Sequence, residues 1–192
     1  MFAGIIEHQG RVLAADTREG IRRVRISTPR GWKLKLGQSI DVDGICSTAT
    51  AVSKSDFTVQ YMPETLSKTT AGEFTKGTVV NLERSLTLNT LIDGHMVQGH
   101  VDARAKVAGV VSKNGTYVLT LALPSPLKKF VAGRGSITVN GVALTVAQKR
   151  GSICSVALIP YTIQATNLGA LKKGNEVNIE TDLIARYLAA LT

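Results

Sequence analysis

The side chains able to titrate near neutral pH are few, and two of the three histidines fall in one run, Asp93-Gly94-His95-Met96-Val97-Gln98-Gly99-His100-Val101-Asp102. A histidine placed there could accept or return a proton at physiological pH. The plainer reading is a polar connector whose imidazole is satisfied by backbone. A spacing of five residues is poor for shared metal ligation from a strand, where successive side chains alternate faces. No Cys-x-x-Cys or Glu-x-x-His accompanies the run, so no metal site is expected.

Cys46 stands in Gly44-Ile45-Cys46-Ser47-Thr48, and nothing adjacent predicts an activated thiolate. Cys154 reads as a strand residue packed in a core. With two cysteines 108 residues apart, a disulfide scaffold is not expected. Met62-Pro63-Glu64-Thr65 and Ile159-Pro160-Tyr161-Thr162 each end a strand, because proline cannot donate to a ladder. The backbone groups freed there, with a Thr hydroxyl, suit a polyhydroxylated ligand; the alternative is a turn that binds nothing. Phosphate-binding glycine loops and serine-hydrolase motifs are absent from the sequence.

These segments come in pairs. Sliding the chain by 97 residues aligns Ser39 to Glu83 with Ser136 to Glu180 without a gap, with 16 identities in 45 positions. Chance would give about three at average residue usage. Upstream the offset becomes 95, so that Gly4 faces Gly99, Val12 faces Val107 and Pro29 faces Pro124. The sequence therefore predicts a duplicated domain, with copies over 1–93 and 94–181 and a short tail over 182–192. Cys46 of the first copy faces Ala143 of the second, so the fold itself does not demand sulfur there.

Each copy reads as β. Thr, Val and Ile make up 52 of 192 residues. Arg22–Thr28 alternates polar and apolar residues, and Tyr117–Leu123 repeats the pattern. Ser39–Val42, Thr48–Val52, Phe57–Met62 and Val79–Glu83 are further strands, each with a twin. About six short strands per copy point to a closed Greek-key barrel, which leaves no exposed edges. The expected fold is all-β: two tandem six-stranded antiparallel Greek-key barrels plus a short C-terminal helix. Residues 65–69 form one turn after Pro63. Asp182 can cap the helix, with Leu183, Ile184, Tyr187, Leu188 and Leu191 along one face. A helix of about ten residues does not stand alone in water, so this stripe must pack either on a barrel or against other subunits.

The net charge is +9 and the isoelectric point near 9.8. The basic residues are scattered and aromatics few, which argues against a nucleic-acid partner. No apolar run reaches the roughly 18 residues of a membrane-spanning helix, and the N-terminus lacks the layout of a signal peptide; a cytoplasmic protein is expected.

Taken together, the start Met1-Phe2-Ala3-Gly4-Ile5-Ile6, then Gly44-Ile45-Cys46, Met62-Pro63-Glu64-Thr65-Leu66, Val80-Asn81-Leu82-Glu83-Arg84, Gly94 to Asp102, Gly135 to Val146 and Ile159-Pro160 resemble the riboflavin synthase family. The resemblance spans nearly the whole chain. It implies a homotrimer built on the C-terminal helices, binding 6,7-dimethyl-8-ribityllumazine and riboflavin; association with lumazine synthase is left open. It implies no metal or redox cofactor. The implied activity is a dismutation in which two lumazines exchange a four-carbon unit, where the first barrel of one subunit meets the second barrel of a neighbour.

By position, the resemblance places Gly4, Ile5 and Ile6 against the ring in the first copy, and Gly99, His100 and Val101 in the second. Cys46, Ser47 and Thr48, with Ala143, Leu144 and Thr145, are implied to line the two pockets. Gln60, Tyr61, Met62, Pro63, Glu64 and Thr65, with Ala157, Leu158, Ile159, Pro160, Tyr161 and Thr162, are implied to hold the ribityl chains, and Arg134 is implied to contact substrate. Cys46 and His100 are the implied proton-transfer or polar residues, with Ser39 and Asp182 as their partners across the interface. The chain departs from the family pattern at Ala3, Asp43, Ser47, Ala103, Arg134 and Ala143. The family also contains lumazine- and flavin-binding relatives that do not catalyse, which is the alternative reading.

Overall fold

A computed structural model describes residues 1–113 and 116–191. The strands follow from alternation. In β1 (His8–Arg18) and β2 (Ile21–Ser27), Val12, Val24 and Ile26 are buried while Arg23 and Arg25 stay in water. Placing β-branched residues on one face lets a short strand bury half its side chains without exposing a paired backbone. β3 (Ser39–Val42), β4 (Ile45–Thr48), β5 (Ala51–Val52), β6 (Asp56–Tyr61) and β7 (Val79–Arg84) complete the first copy. The expected strand over 48–52 begins earlier, at Ile45, and is interrupted at Ala49-Thr50. β1 is the one strand of this copy that the alternation did not announce.

The second copy repeats the plan with β8 (Ala103–Lys113), β9 (Thr116–Ala122), β10 (Ser136–Val139), β11 (Val142–Arg150), β12 (Ile153–Leu158) and β13 (Glu176–Thr181). Its sheet closes in the order β10-β11-β12-β9-β8-β13. In the first copy the order is β4-β3-β7-β1-β2-β6-β5, whose two ends, β4 and β5, are successive pieces of one strand. The break at Ala49-Thr50 falls where the second copy carries a bulge between Val146 and Gln148. In the second copy the extra residue kinks the strand at that corner, as a small barrel needs in order to close; in the first copy the strand is broken there and the sheet is left open between β4 and β5.

Each barrel has its own core. One is centred on Val24, Ile26, Ile40, Phe57, Val59 and Leu82, the other on Leu119, Leu121, Ile137, Cys154, Val156 and Ile179. At Pro63 and at Pro160 a six-residue helix turns the chain: α1 (Pro63–Lys68) and α2 (Pro160–Ala165). Their ends are matched by equivalent threonines. Thr69 Oγ1 donates to the Thr65 carbonyl at 2.8 Å, and Thr166 Oγ1 to that of Thr162 at 2.7 Å.

The two copies meet around two hairpin turns, Asp43-Gly44 and Asn140-Gly141, all four residues having positive φ. A Cβ on Gly44 would stand 2.8 Å from the Gly141 nitrogen, so backbone packs on backbone there. A polar network surrounds the turns. The Asn81 amide donates to the Asn140 carbonyl and to Asn167 Oδ1, each at 2.9 Å. The Asn178 amide donates to the Asp43 carbonyl at 2.7 Å, and Thr70 N–H donates to Asn178 Oδ1 at 2.8 Å. Buried polar groups are tolerated because they satisfy one another.

Asp182 caps α3 (Leu183–Ala190), its carboxylate accepting from Ile184 N–H at 2.9 Å. Arg186 pairs with Asp102 at 3.3 Å. The apolar stripe is not folded back: Ile184, Tyr187 and Leu191 are 65%, 66% and 85% exposed. Of the two ways to cover this face, packing on its own barrel is not the one taken.

Candidate functional site

The chain start and the connector between the copies build the site. Phe2 and Val97 form an antiparallel bridge, with N–H to carbonyl distances of 2.7 and 3.0 Å in the two directions. From this small ribbon the two strands part, and each runs to the barrel of the other copy. Gly99 carbonyl accepts from Cys46 N–H at 2.8 Å, and Val101 packs against the first core. Gly4 carbonyl accepts from Ala143 N–H at 2.8 Å, and Ile6 is buried in the second core. The sequence-based grouping is thus reversed. Gly99, His100 and Val101 belong with Cys46, while Gly4, Ile5 and Ile6 belong with Ala143. The reason is the exchange itself: a linear repeat assigns each segment to its own copy, and only the crossing shows otherwise.

The first site is a cleft of about 440 Å³ lined by Ile45, Cys46, Met62, Glu64, Thr65, Lys68, Thr69, Gly99, His100 and Val101. Cys46 and Thr48 lie on the outward face of β4, and Gln60 on that of β6. Glu64 and Lys68 pair at 2.9 Å, one helical turn apart. Pro63 opens α1 beside the cleft. Burial pushes the Cys46 thiol up, with a hydrogen bond from Ser39 working against it. Cys46 is therefore a thiol and not a ready nucleophile.

Strand alternation sends other predicted residues inward. Ser47 and Tyr61 are buried and share a hydrogen bond of 2.9 Å between their hydroxyls. Burial raises the Tyr61 phenol well above its ordinary value. Their side chains fill the barrel instead of lining the cleft, and a ligand would meet only their backbone. Leu144 and Leu158 likewise pack on or in the second core. Thr145, Ala157, Ile159, Pro160 and Tyr161 are exposed, while Thr162 is half-buried.

The equivalents of the first cleft, read through the repeat offsets, are Val142, Ala143, Ile159, Tyr161, Thr162, Ala165 and Thr166 with Gly4, Ile5 and Ile6. Cys46, Glu64, Lys68 and His100 thus become Ala143, Tyr161, Ala165 and Ile5: the same backbone frame presents two chemically unlike surfaces. Arg134 sits in a left-handed turn before β10, its N–H donating to the Val146 carbonyl at 2.8 Å. Ser39 stands beside Cys46 in the β3–β4 ladder. Asp182 is taken up by the α3 cap and is not part of the first cleft's lining. His95 is also outside that lining; its Nε2 lies 3.0 Å from Thr138 Oγ1, and burial lowers its pKa, so it is neutral near pH 7. A side-chain partner, not backbone, satisfies that imidazole. Among the described residues no group of His, Cys, Asp and Glu could hold a metal ion.

Two buried glutamates anchor the crossing segments. Glu83 on β7 accepts from Ala3 N–H at 2.7 Å and Gly4 N–H at 3.0 Å. Glu180 on β13 accepts from Gln98, Gly99 and His100 N–H at 2.7, 2.9 and 3.1 Å. Burial lifts both carboxyls to about 7, against the pull of those amides. Asp43 is lifted to about 7 by the same cause, and Asp41 is raised as well. The folded chain thus holds protons at a pH where unfolded carboxyls have lost them. Stability is therefore fully present below pH 4 as far as these groups are concerned, and is lost as pH rises toward 7. Urea melts at pH 5 and pH 8 are expected to differ by about 2 kcal/mol or more in favour of pH 5; equal stabilities would refute the buried-acid account.

The model of the lumazine binding domain matches residues 3–85 and again residues 98–182. Riboflavin synthase of Bacillus subtilis is 38% identical over 189 residues, covering 98% of this chain and 88% of that one. Riboflavin synthase of Mycobacterium tuberculosis is 36% identical over 197 residues, covering 100% and 98%. The chain belongs to the riboflavin synthase family. A solved structure of LumP complexed with riboflavin superposes with a TM-score of 0.87 at 24% identity, over 94% of this chain and 99% of that one; this likeness speaks to the fold.

Against the riboflavin synthase family pattern, the departures at Ala3 and Ser47 are buried and bonded within the protein, so neither presents a side chain to the cleft. Asp43 is tied into the contact between the copies, its Oδ1 accepting from Asn81 N–H at 2.7 Å and from the Asn167 amide at 2.9 Å. Sequence reasoning did not name Ile45, Lys68 or Thr69 as lining. Lys68 carried a signal, its i,i+4 spacing from Glu64. The anchoring role of Glu83 and Glu180 was visible only as an identity between the copies.

Proposed function

We propose that the chain is a riboflavin synthase: one 6,7-dimethyl-8-ribityllumazine gives a four-carbon unit to a second, yielding riboflavin and 5-amino-6-(D-ribitylamino)uracil. The observation that carries this reading is one backbone frame built twice with unlike linings. A dismutation needs two copies of one molecule held in different roles. The first cleft supplies Cys46, His100 and the Thr65 hydroxyl, the second Ala143, Ile5 and Thr162. The relatives named riboflavin synthase, matched over nearly the whole chain, support it.

The C7 methyl of the lumazine is acidic because its carbanion delocalises into the ring. The protein therefore needs modest proton transfer, for which His100 and Cys46 are placed, and good positioning of two rings. The reaction balances without an external oxidant, since the atoms lost by one lumazine are gained by the other. Residues 62–65 and 159–162 hold the ribityl chains. The reacting pair assembles where the first barrel of one subunit meets the second barrel of its neighbour in a cytoplasmic homotrimer joined through α3.

The test is incubation of purified protein with 6,7-dimethyl-8-ribityllumazine, following riboflavin absorbance. Riboflavin and the pyrimidine are expected in equal amounts. Absence of turnover at high protein concentration, with the lumazine nonetheless bound, would replace the enzyme by a binding protein.

A further inference from the structure

Each buried glutamate lies in one copy and holds the segment that lines the site of the other. Glu180 belongs to β13 of the second barrel, yet its carboxylate gathers Gln98, Gly99 and His100 N–H, and Gly99 carbonyl takes Cys46 N–H in the first barrel. Glu83 belongs to β7 of the first barrel, yet it gathers Ala3 and Gly4 N–H, and Gly4 carbonyl takes Ala143 N–H in the second. Both side chains are 3% exposed. Convergent N–H groups on a buried carboxylate fix a backbone in a way no apolar contact does, because each bond is directional and charge-assisted.

We propose that Glu180 is the positioning residue for the cleft holding Cys46 and His100, and Glu83 that for the Ala143 site, each acting across the contact between the copies. This rests on the reading that these clefts bind the lumazine and riboflavin. The consequence is a crossed pattern of effects. A fault in a second-barrel residue impairs the first-barrel site, and the reverse. Glutamine is the informative change, since it keeps the size of glutamate but turns one acceptor oxygen into an NH₂ that opposes the backbone N–H groups.

Cys46 gives a reporter specific to the first site, and its thiol can be followed by iodoacetamide labelling and peptide mass mapping at pH 8.5, where the glutamates are ionised. Without ligand, E180Q is expected to label Cys46 about tenfold faster than the unaltered protein, and E83Q within twofold of it. With riboflavin as the protecting ligand, E180Q is expected to need about tenfold more for half protection, again with E83Q unchanged. E83Q is instead expected to lose one of two riboflavin molecules per chain in equilibrium dialysis, with Cys46 still protected.

Equal shifts in both variants, or no shift in E180Q, would overturn the crossed assignment. Should E180Q fail to fold by circular dichroism, the E83Q arm decides alone: loss of Cys46 protection there overturns it, and loss of one unprotected equivalent supports it. If riboflavin protects nothing in the unaltered protein, the binding reading fails, while the ligand-free labelling rates still judge the positioning roles.

Discussion

Replacing Gly99 by Ala is expected to lower turnover of 6,7-dimethyl-8-ribityllumazine by about a hundredfold or more. Gly99 has φ of +76°, where an L side chain is strained by about 1–2 kcal/mol. Steric overlap adds more than that strain. A Cβ there would stand 2.6 Å from the Cys46 nitrogen and 2.7 Å from the Cys46 Cβ. Neither neighbour is the end of a flexible side chain, so the crossing segment must lift. That breaks the 2.8 Å bond from Cys46 N–H and moves His100 and Val101 with it. Displacement of about an ångström at a reacting site costs about two orders of magnitude. Gly109→Ala is the control, since a Cβ on Gly109 meets nothing within 4 Å. Steady-state kinetics on both variants checks the idea; a Gly99→Ala protein within threefold of the unaltered rate would show that the crossing segment does not set the site.

Deletion of residues 183–192 is expected to turn the oligomer into monomers and to remove turnover together with it. α3 carries Ile184, Tyr187 and Leu191 on a face that its own barrels leave uncovered. An eight-residue helix gains too little from its own hydrogen bonds to persist in water, so in the proposed trimer burial of that face between subunits is what would hold it. The barrels lose little by the deletion, because no residue of α3 is buried and Arg186 makes one ion pair, with Asp102. On the proposed function the first cleft, built within one chain, is expected to keep its riboflavin, whereas the proposed exchange of carbon between clefts on different chains is expected to stop. Sedimentation velocity and the turnover assay decide it together. A truncated protein that stays oligomeric, or a monomer with full turnover, would refute the intersubunit site.

Both predictions depend on features of differing legibility. The duplication, the strands at Ser39–Val42 and Val79–Arg84 and the helical turn after Pro63 are local, encoded in alternation and in proline's missing donor, and a single chain displays them. Cys46, Met62, Glu64, Thr65 and His100, which the family resemblance named from their positions in the repeat, come together in one cleft. Lys68 could have been added from its spacing to Glu64. What the sequence could not express is which copy each segment serves. Gly4 and Gly99 occupy equivalent places in their repeats, and nothing in the order of residues says that each crosses to the opposite barrel. That choice is made by the Phe2–Val97 bridge and by Glu83 and Glu180, whose hydrogen bonds join residues about 80 positions apart. Strand alternation, readable in principle, became decisive only once the core was known; it turned Ser47 and Tyr61 inward, away from the cleft they were expected to line. The residue types and the repeat were thus determined by the sequence alone. The pairing of segments into sites was decided by tertiary structure, because a buried carboxylate selects its partners by proximity in space and not by distance along the chain.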